Sequence, residues 1–461
     1  MSAFIEQARY SCALAAQQTV LAIPRAHPVV HAGPGCSFRI SRFTGSGAGH
    51  QGEGYTGGSH ISSTNSCESE IVFGGERKLR ATIEGALRVI KGDLFVVLTG
   101  CTAGIVGDDV QSVAGEFLRQ GKPVVAVETA GFKGSSYYGH EQVVKAILEQ
   151  GLGGVRPRPR KGLVNVFSVV PYQDPYWRAD LETLKQLLES IGLEPQVLFG
   201  YSSAGMAEWK NIPNAQFNLL VSPWVGLSAV RLLEEQYGTP FLHYPVLPSG
   251  AIETGAFLRK TAAFAGIPAS AVEAVVSREE DRFYQYLGSL VDFLAEFRNN
   301  LPAELYVAAG SAYALGISAF MVNEMGYIPK GVYLTDDPPE SCRALIRAEA
   351  AARDERLGGL LCFENDGGLV QRDIKARLGK SRRALLLGSS WEKLLAQETG
   401  NLYAFISLPL PETVILNRSC LGYNGGLQLL EEIYSNIFKT KTATSRTQAV
   451  SPGGLCSAGA D

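Results

Sequence analysis

The stretch His27-Pro28-Val29-Val30-His31-Ala32-Gly33-Pro34-Gly35-Cys36 decides how this chain is read. A short β-branched run stopped by a glycine turn is a buried strand by pattern, and the turn opens a predicted helix. Asp93-Leu94-Phe95-Val96-Val97-Leu98, followed by Thr99-Gly100-Cys101-Thr102-Ala103-Gly104, repeats the arrangement. In an open parallel sheet, ligands gather beyond the carboxyl ends of the strands. Cys36 and Cys101 are both predicted there, where the positive end of the following helix draws a thiol toward thiolate. Cys12 makes a third: 24 residues separate it from Cys36, and 65 separate Cys36 from Cys101. No local CxxC clip exists, so a shared site has to be assembled by the fold. The residues alone leave two readings open, thiolate ligands to a metal group or small core side chains.

Outward from these strands, 461 residues are enough for two to four domains. A hydrophobic content of 46% with 19% charged residues is that of an ordinary globular protein. A net charge of −3 gives no electrostatic reason to bind nucleic acid or a membrane surface. Eight scattered cysteines make no disulfide framework, and the first residues lack a secretory apolar core, so the cytoplasm is expected. The apolar run Leu305 to Val322 is interrupted by Gly310, Ser311, Gly316 and Ser318, and reads as strand, turn and helix rather than a membrane span.

Strand and helix patterns alternate throughout, predicting an α/β fold of three Rossmann-like domains with parallel sheets. Residues 1–155 form the first, 156–300 the second and 301–440 the third, with a disordered Ser/Thr/Gly-rich tail over 441–461. Arg156-Pro157-Arg158-Pro159-Arg160-Lys161 reads as a basic linker, Gly358 to Cys362 as a strand, and Gly422 to Phe438 as the last helix. Residues 45–58 hold seven glycines and read as a loop, either mobile or ordered on a partner.

His31-Ala32-Gly33-Pro34-Gly35-Cys36 resembles the His-Gly-Pro-x-Gly-Cys motif of the component 1 subunits of nitrogenase. Ile71-Val72-Phe73-Gly74-Gly75 is similar to that family's Val-Phe-Gly-Gly segment, and Gly100-Cys101 through Gly107-Asp108-Asp109 to its Cys-x-x-x-x-Ile-Gly-Asp-Asp element. The order agrees, and the likeness continues to Gly422-Tyr423-Asn424-Gly425.

The resemblance implies an α2β2 assembly in which each αβ pair shares an 8Fe–7S cluster, of the P-cluster type, held by three cysteines from each subunit. Cys12, Cys36 and Cys101 take those metal-ligand positions here, with a 4Fe–4S-type variant as the alternative. Gly33, Gly35 and Gly100 are expected to line the cluster, where a backbone without Cβ approaches the sulfides. They also read as plain turn glycines. His31 is expected to orient its loop rather than bind iron. The implied partners are an α-type subunit carrying the catalytic cofactor and a homodimeric ATP-dependent 4Fe–4S reductase.

The α-type cofactor positions look vacant. Ser222 stands where the cofactor cysteine would follow its strand, and no histidine comes after His243. The chain therefore resembles a β-type, electron-relaying subunit without catalytic residues of its own. Two departures separate it from conventional β subunits: Gly131 replaces a serine able to ligate the oxidised cluster, and Cys67, at a place with no family ligand, reads either as a core thiol or as an added or replacement ligand. Methylthio-alkane reductase, a nitrogenase-like enzyme that cleaves C–S bonds, is the preferred relative. A dinitrogen-reducing β subunit and a cluster-assembly scaffold subunit are the alternatives.

Overall fold

A computed structural model describes residues 5–39, 47–51, 61–153, 155–381 and 383–449, with side chains described as far as residue 438. Three parallel sheets organise the chain. The first contains β1 (Ala26–His31), β2 (Ser62–Ser63), β3 (Leu94–Thr99) and β4 (Val124–Val127) in the order β2-β1-β3-β4. The second contains β5 (Arg160–Phe167), β6 (Glu194–Val197), β7 (Ala215–Leu220) and β8 (Phe241–His243) in the order β6-β5-β7-β8. The third contains β9 (Glu304–Ala309), β10 (Ile328–Leu334), β11 (Leu361–Phe363), β12 (Ala384–Gly388) and β13 (Leu402–Phe405), ordered β11-β10-β9-β12-β13.

Parallel strands are covered by helices on both faces, which is why they read as unbroken apolar runs. Every residue of β3 is buried, and the strand pairs with β1 from Ala26↔Leu94 to His31↔Thr99. Helix Glu76–Val89 closes one face by burying Leu79, Ile83 and Ala86. Those positions recur at helical spacing on its apolar stripe. In the first sheet the chain turns one way from β1 to β2 and the other way to β3. The crevice between the ends of β1 and β3 is therefore a topological switch point.

Several expectations change. Arg160 and Lys161 belong to β5 rather than to a linker, because Arg160 pairs with Ala215 and an irregularity before Val164 absorbs the offset. Residues Gly358 to Leu360 close the short helix Glu355–Leu360, and only Leu361–Phe363 is strand. Asp354, whose carboxylate accepts from Arg356 N, starts that helix and overrides the glycines. The final helix runs from Gly422 to Ala449, into the segment expected to be disordered; no proline or glycine interrupts residues 439–449. Residues 450–461 lie outside the described residues. The run Leu305 to Val322 forms β9 and helix Ser311–Asn323, and among the described residues no helix is long and apolar enough to cross a membrane.

Part of the glycine-rich stretch is held by this chain itself. His50 N donates to Thr413 O at 2.8 Å, and Ile415 N to His50 O at 3.0 Å. Gln51 accepts from Trp177 Nε1 at 3.1 Å. Gly49, at φ +81°, is so tightly packed that a Cβ would stand 2.7 Å from Ile415. Residues 40–46 and 52–60 lie outside the described residues.

Candidate metal centre

The fold brings the three cysteines to one place by three different routes. Cys36 lies in a helical turn over residues 34–39 that follows β1. Cys101 is the first residue of helix Cys101–Val106, immediately after β3. Cys12 arrives on the N-terminal segment and forms an antiparallel bridge with Ser135, beyond the end of β4. Ala13 N donates to Gly134 O at 2.9 Å and Ser136 N to Ser11 O at 2.8 Å, so backbone bonds pin both sides of Cys12.

Gly131 measures the convergence. A Cβ there would stand 3.0 Å from Cys101 Sγ and 3.2 Å from Cys12 Sγ, so both sulfurs crowd the space that a side chain would fill. The position expected to distinguish this chain from conventional β subunits thus lies against two of the three sulfurs. Cys36 is the half-buried member, while Cys12 and Cys101 are exposed. Burial, then the negative charge of Cys12 and of Cys101, pushes the Cys36 thiol up. This reverses the sequence expectation of a helix-lowered thiol. Desolvation and two like-charged neighbours outweigh the start of a short helix.

The loops are held by a clasp joining all three motifs. His31 is fully buried, with Nε2 2.8 Å from Asp108 Oδ2 and Nδ1 3.2 Å from Thr64 Oγ1. The other Asp108 oxygen accepts from Gly75 N at 2.9 Å. Gly75 has to be glycine, because a Cβ would stand 2.7 Å from His31 Cε1. Both ring nitrogens of His31 are engaged within the chain.

The three expected glycines differ in setting. Gly100 is wedged between strand ends, and a Cβ would meet the Ala32 methyl at 2.4 Å. Gly33 has ordinary room, while Gly35 is exposed with nothing within 4 Å of a built Cβ. Cys67 is exposed rather than a core thiol: it caps helix Glu68–Phe73 and donates to Asn65 O at 3.3 Å. Ser222 is buried just beyond β7, and its carbonyl accepts from His243 Nε2 at 2.8 Å.

Among the described residues, no group of three or more His, Cys, Asp or Glu side chains has the spacing of a single-ion site. Two exposed thiols around a glycine cradle, with a third in the turn after the neighbouring strand, suit a larger sulfide-bridged group whose remaining ligands come from elsewhere. The surrounding surface is apolar. Val72, Phe73 and Ile105 are 70%, 87% and 76% exposed; Phe38, close after Cys36 in sequence, and Phe132, next to Gly131, are exposed as well. Helix Glu68–Phe73 packs against helix Cys101–Val106. Large apolar side chains gathered on one face mark a surface that another protein covers.

The nitrogenase component 1 type oxidoreductase model matches residues 11–438. The chain is 25% identical over 386 residues to the nitrogenase molybdenum-iron protein alpha chain of Methanothermobacter thermautotrophicus, covering 82% of this chain and 75% of the relative. It is 24% identical over 439 residues to the beta chain of the same protein from Rippkaea orientalis, covering 89% and 80%. Identity to one of the subunits of light-independent protochlorophyllide reductase from a Bradyrhizobium species is 23% over 343 residues, covering 72% of this chain and 61% of the relative. The solved structure of nitrogenase Cp1 at pH 6.5 superposes with a TM-score of 0.75 at 18% identity, over 96% of this chain and 95% of that one. Motifs, sheets and matched length agree: the chain belongs to the nitrogenase component 1 type oxidoreductases.

Proposed function

We propose that this chain is a β-type electron-relay subunit, with Cys12, Cys36 and Cys101 supplying its half of an iron–sulfur cluster shared with an α-type subunit. The observation that carries the reading is the crowding of Cys12 and Cys101 around Gly131, with Cys36 in the turn after β1, the strand paired with β3, on a face of exposed apolar side chains. An 8Fe–7S cluster of the P-cluster type would supply one-electron storage and transfer between the docked ATP-dependent reductase and the partner's catalytic cofactor.

The chain's own residues hold and shield that site. The half-buried Cys36 and the exposed Cys12 and Cys101 would hold the cluster on this side. Gly35 leaves open space in which a bulky inorganic group can approach the backbone. The His31–Asp108–Gly75 clasp holds the turns after β1 and β3 in register. Phe73, Val72 and Ile105 would exclude water once a partner covers them. Ser222 offers no thiolate, which supports an electron-relaying chain whose substrate is bound by its partner.

The reaction class we favour is reductive C–S bond cleavage, as in methylthio-alkane reductase, in a cytoplasmic α2β2 assembly. Gly131 supports it over a conventional dinitrogen-reducing β subunit, because no serine oxygen is available beside the two sulfurs. The test is anaerobic co-purification with a co-expressed α-type subunit, followed by iron and acid-labile sulfide analysis. Iron that is lost in Cys36→Ala and Cys101→Ala, with bleaching of the interface-cluster paramagnetic signal, is the expected result. A colourless complex without iron overturns the relay and favours a scaffold subunit. Offering the iron-bearing complex dimethyl sulfide or dinitrogen separates the two reductive chemistries.

A further inference from the structure

We propose that residues 5–12 act as a strap through which the third sheet's domain sets the position of Cys12, with Arg9 as the positioning residue. The inference rests on the cluster reading only where it concerns iron; the strap itself is a matter of geometry. Glu6 N and Gln7 N donate to the two oxygens of Asp366 at 3.0 and 3.1 Å, and Gly367 N donates back to Gln7 O at 2.9 Å. Ala8 bridges Asp366 in antiparallel fashion. Gly367 and Gly368 make room for this approach, since a Cβ on Gly368 would stand 2.6 Å from Glu6 Oε2. Asn365 donates to Tyr10 OH at 2.5 Å.

Arg9 is the strongest anchor. Its guanidinium forms an ion pair with Glu392 in which both side chains are almost wholly buried, at 2% and 1% exposure. It also stacks 5.0 Å from the Trp391 ring centroid. A buried ion pair adds little net stability over an apolar pair, but it is unforgiving of misalignment, so it holds register. The planar fork of arginine makes that register stricter than lysine would.

The strap has no slack. Three residues take the chain from Arg9 to Cys12, a reach of at most about 10 Å. On both sides of Cys12, through Ser11 and Ala13, the backbone is bonded to Ser136 and Gly134 beside the first sheet, so Cys12 is the point where the strap meets the first domain. Cys36 and Cys101, in contrast, follow β1 and β3 directly and are held within the first domain. A shift of the third domain against the first therefore pulls on those bonds, and through them on Cys12, while leaving the other two sulfurs unloaded.

The test compares Arg9→Met, the paired Arg9→Met/Glu392→Met that leaves no buried charge unmatched, and Arg9→Lys. In the full chain without metal, carrying Cys36→Ser and Cys67→Ser, phenylarsine oxide reports whether Cys12 and Cys101 are held close enough to be bridged. Peptide mass spectrometry identifies the bridged pair. Both Met variants are expected to weaken that capture about tenfold by freeing the strap, with partial recovery in Arg9→Lys. In the complex with the partner, the midpoint potential and paramagnetic spectrum of the iron are expected to move while iron content holds in the paired variant. Arsenical capture unchanged in the paired variant overturns the strap. An iron-free complex whose arsenical capture still falls supports the strap and refutes the relay instead. An iron-bearing complex whose capture is unmoved does the reverse.

Discussion

A methyl group added at Gly131 is the sharpest probe of the site. In Gly131→Ala the new carbon stands 3.0 Å from Cys101 Sγ, 3.2 Å from Cys12 Sγ and 3.1 Å from Cys12 Cβ. Comfortable contacts lie near 3.5–4.0 Å, so each falls short by roughly half an ångström. The neighbours cannot all retreat. Cys101 is fixed at the start of its helix, and Cys12 is flanked by the backbone bonds of Ser11 and Ala13. Overpacking of this kind costs about 1–3 kcal/mol, and the sulfurs can yield only by rotating out of their set. Thermal melting of the metal-free chain should show a Tm lowered by about 1–3 °C, since a chain of 461 residues shifts by about 1 °C per kcal/mol. Iron content and the paramagnetic signal of the partner complex should fall with it. Gly35→Ala is the control: its Cβ meets nothing, and alanine in a helical turn favours the folded chain by about 0.5–1 kcal/mol. A Gly131→Ala chain that melts like the parent and loads iron equally well would refute the convergence of the thiols. Loss of iron in Gly35→Ala with an undiminished Tm would support close approach at that glycine.

Gly100→Ala should be the most disruptive single change near the site, since its Cβ would meet Ala32 at 2.4 Å between two strand ends. A loss in the upper part of the ~1–3 kcal/mol overpacking range, read as a lower urea midpoint, is expected. Asp108→Ala frees Gly75 N and leaves the buried His31 ring without its carboxylate. It should destabilise the chain by about 1–3 kcal/mol by denaturant melting, and a neutral result would dismiss the clasp.

Stability should also fall as pH rises from acid to mildly alkaline. Burial pushes Asp174 up to about 8 and Asp180 up to about 7, so the fold keeps protons that the unfolded chain releases near pH 4. That contribution is whole below about pH 4 and lost as pH climbs through 7 and 8. Melting temperatures taken across this window should decline, and Asp174→Asn should flatten the slope; a Tm that climbs toward pH 8 would reverse the sign.

How much of this was legible in the chain depends on the distance over which each feature is decided. β1 and β3 announced themselves because buried parallel strands are unbroken apolar runs. β8 and β13 did not, being three and four residues long with no pattern of their own until a neighbouring strand supplies hydrogen bonds. The end of the last helix was placed early because its final turns are polar. The tightness of Gly131 was invisible, since its crowding comes from residues far away in sequence.

By itself the sequence determined the α/β class, the strand–turn–cysteine units around Cys36 and Cys101, and the family, because these are local patterns of side-chain size, polarity and backbone freedom. The resemblance already expected Cys12 to join them; only the tertiary structure decided that Cys12 and Cys101 crowd Gly131 and that Arg9 pairs with Glu392. Those relations span from 30 to more than 380 residues. No local propensity encodes a contact at such separations; it exists only once the sheets have formed and the strap has been laid across them.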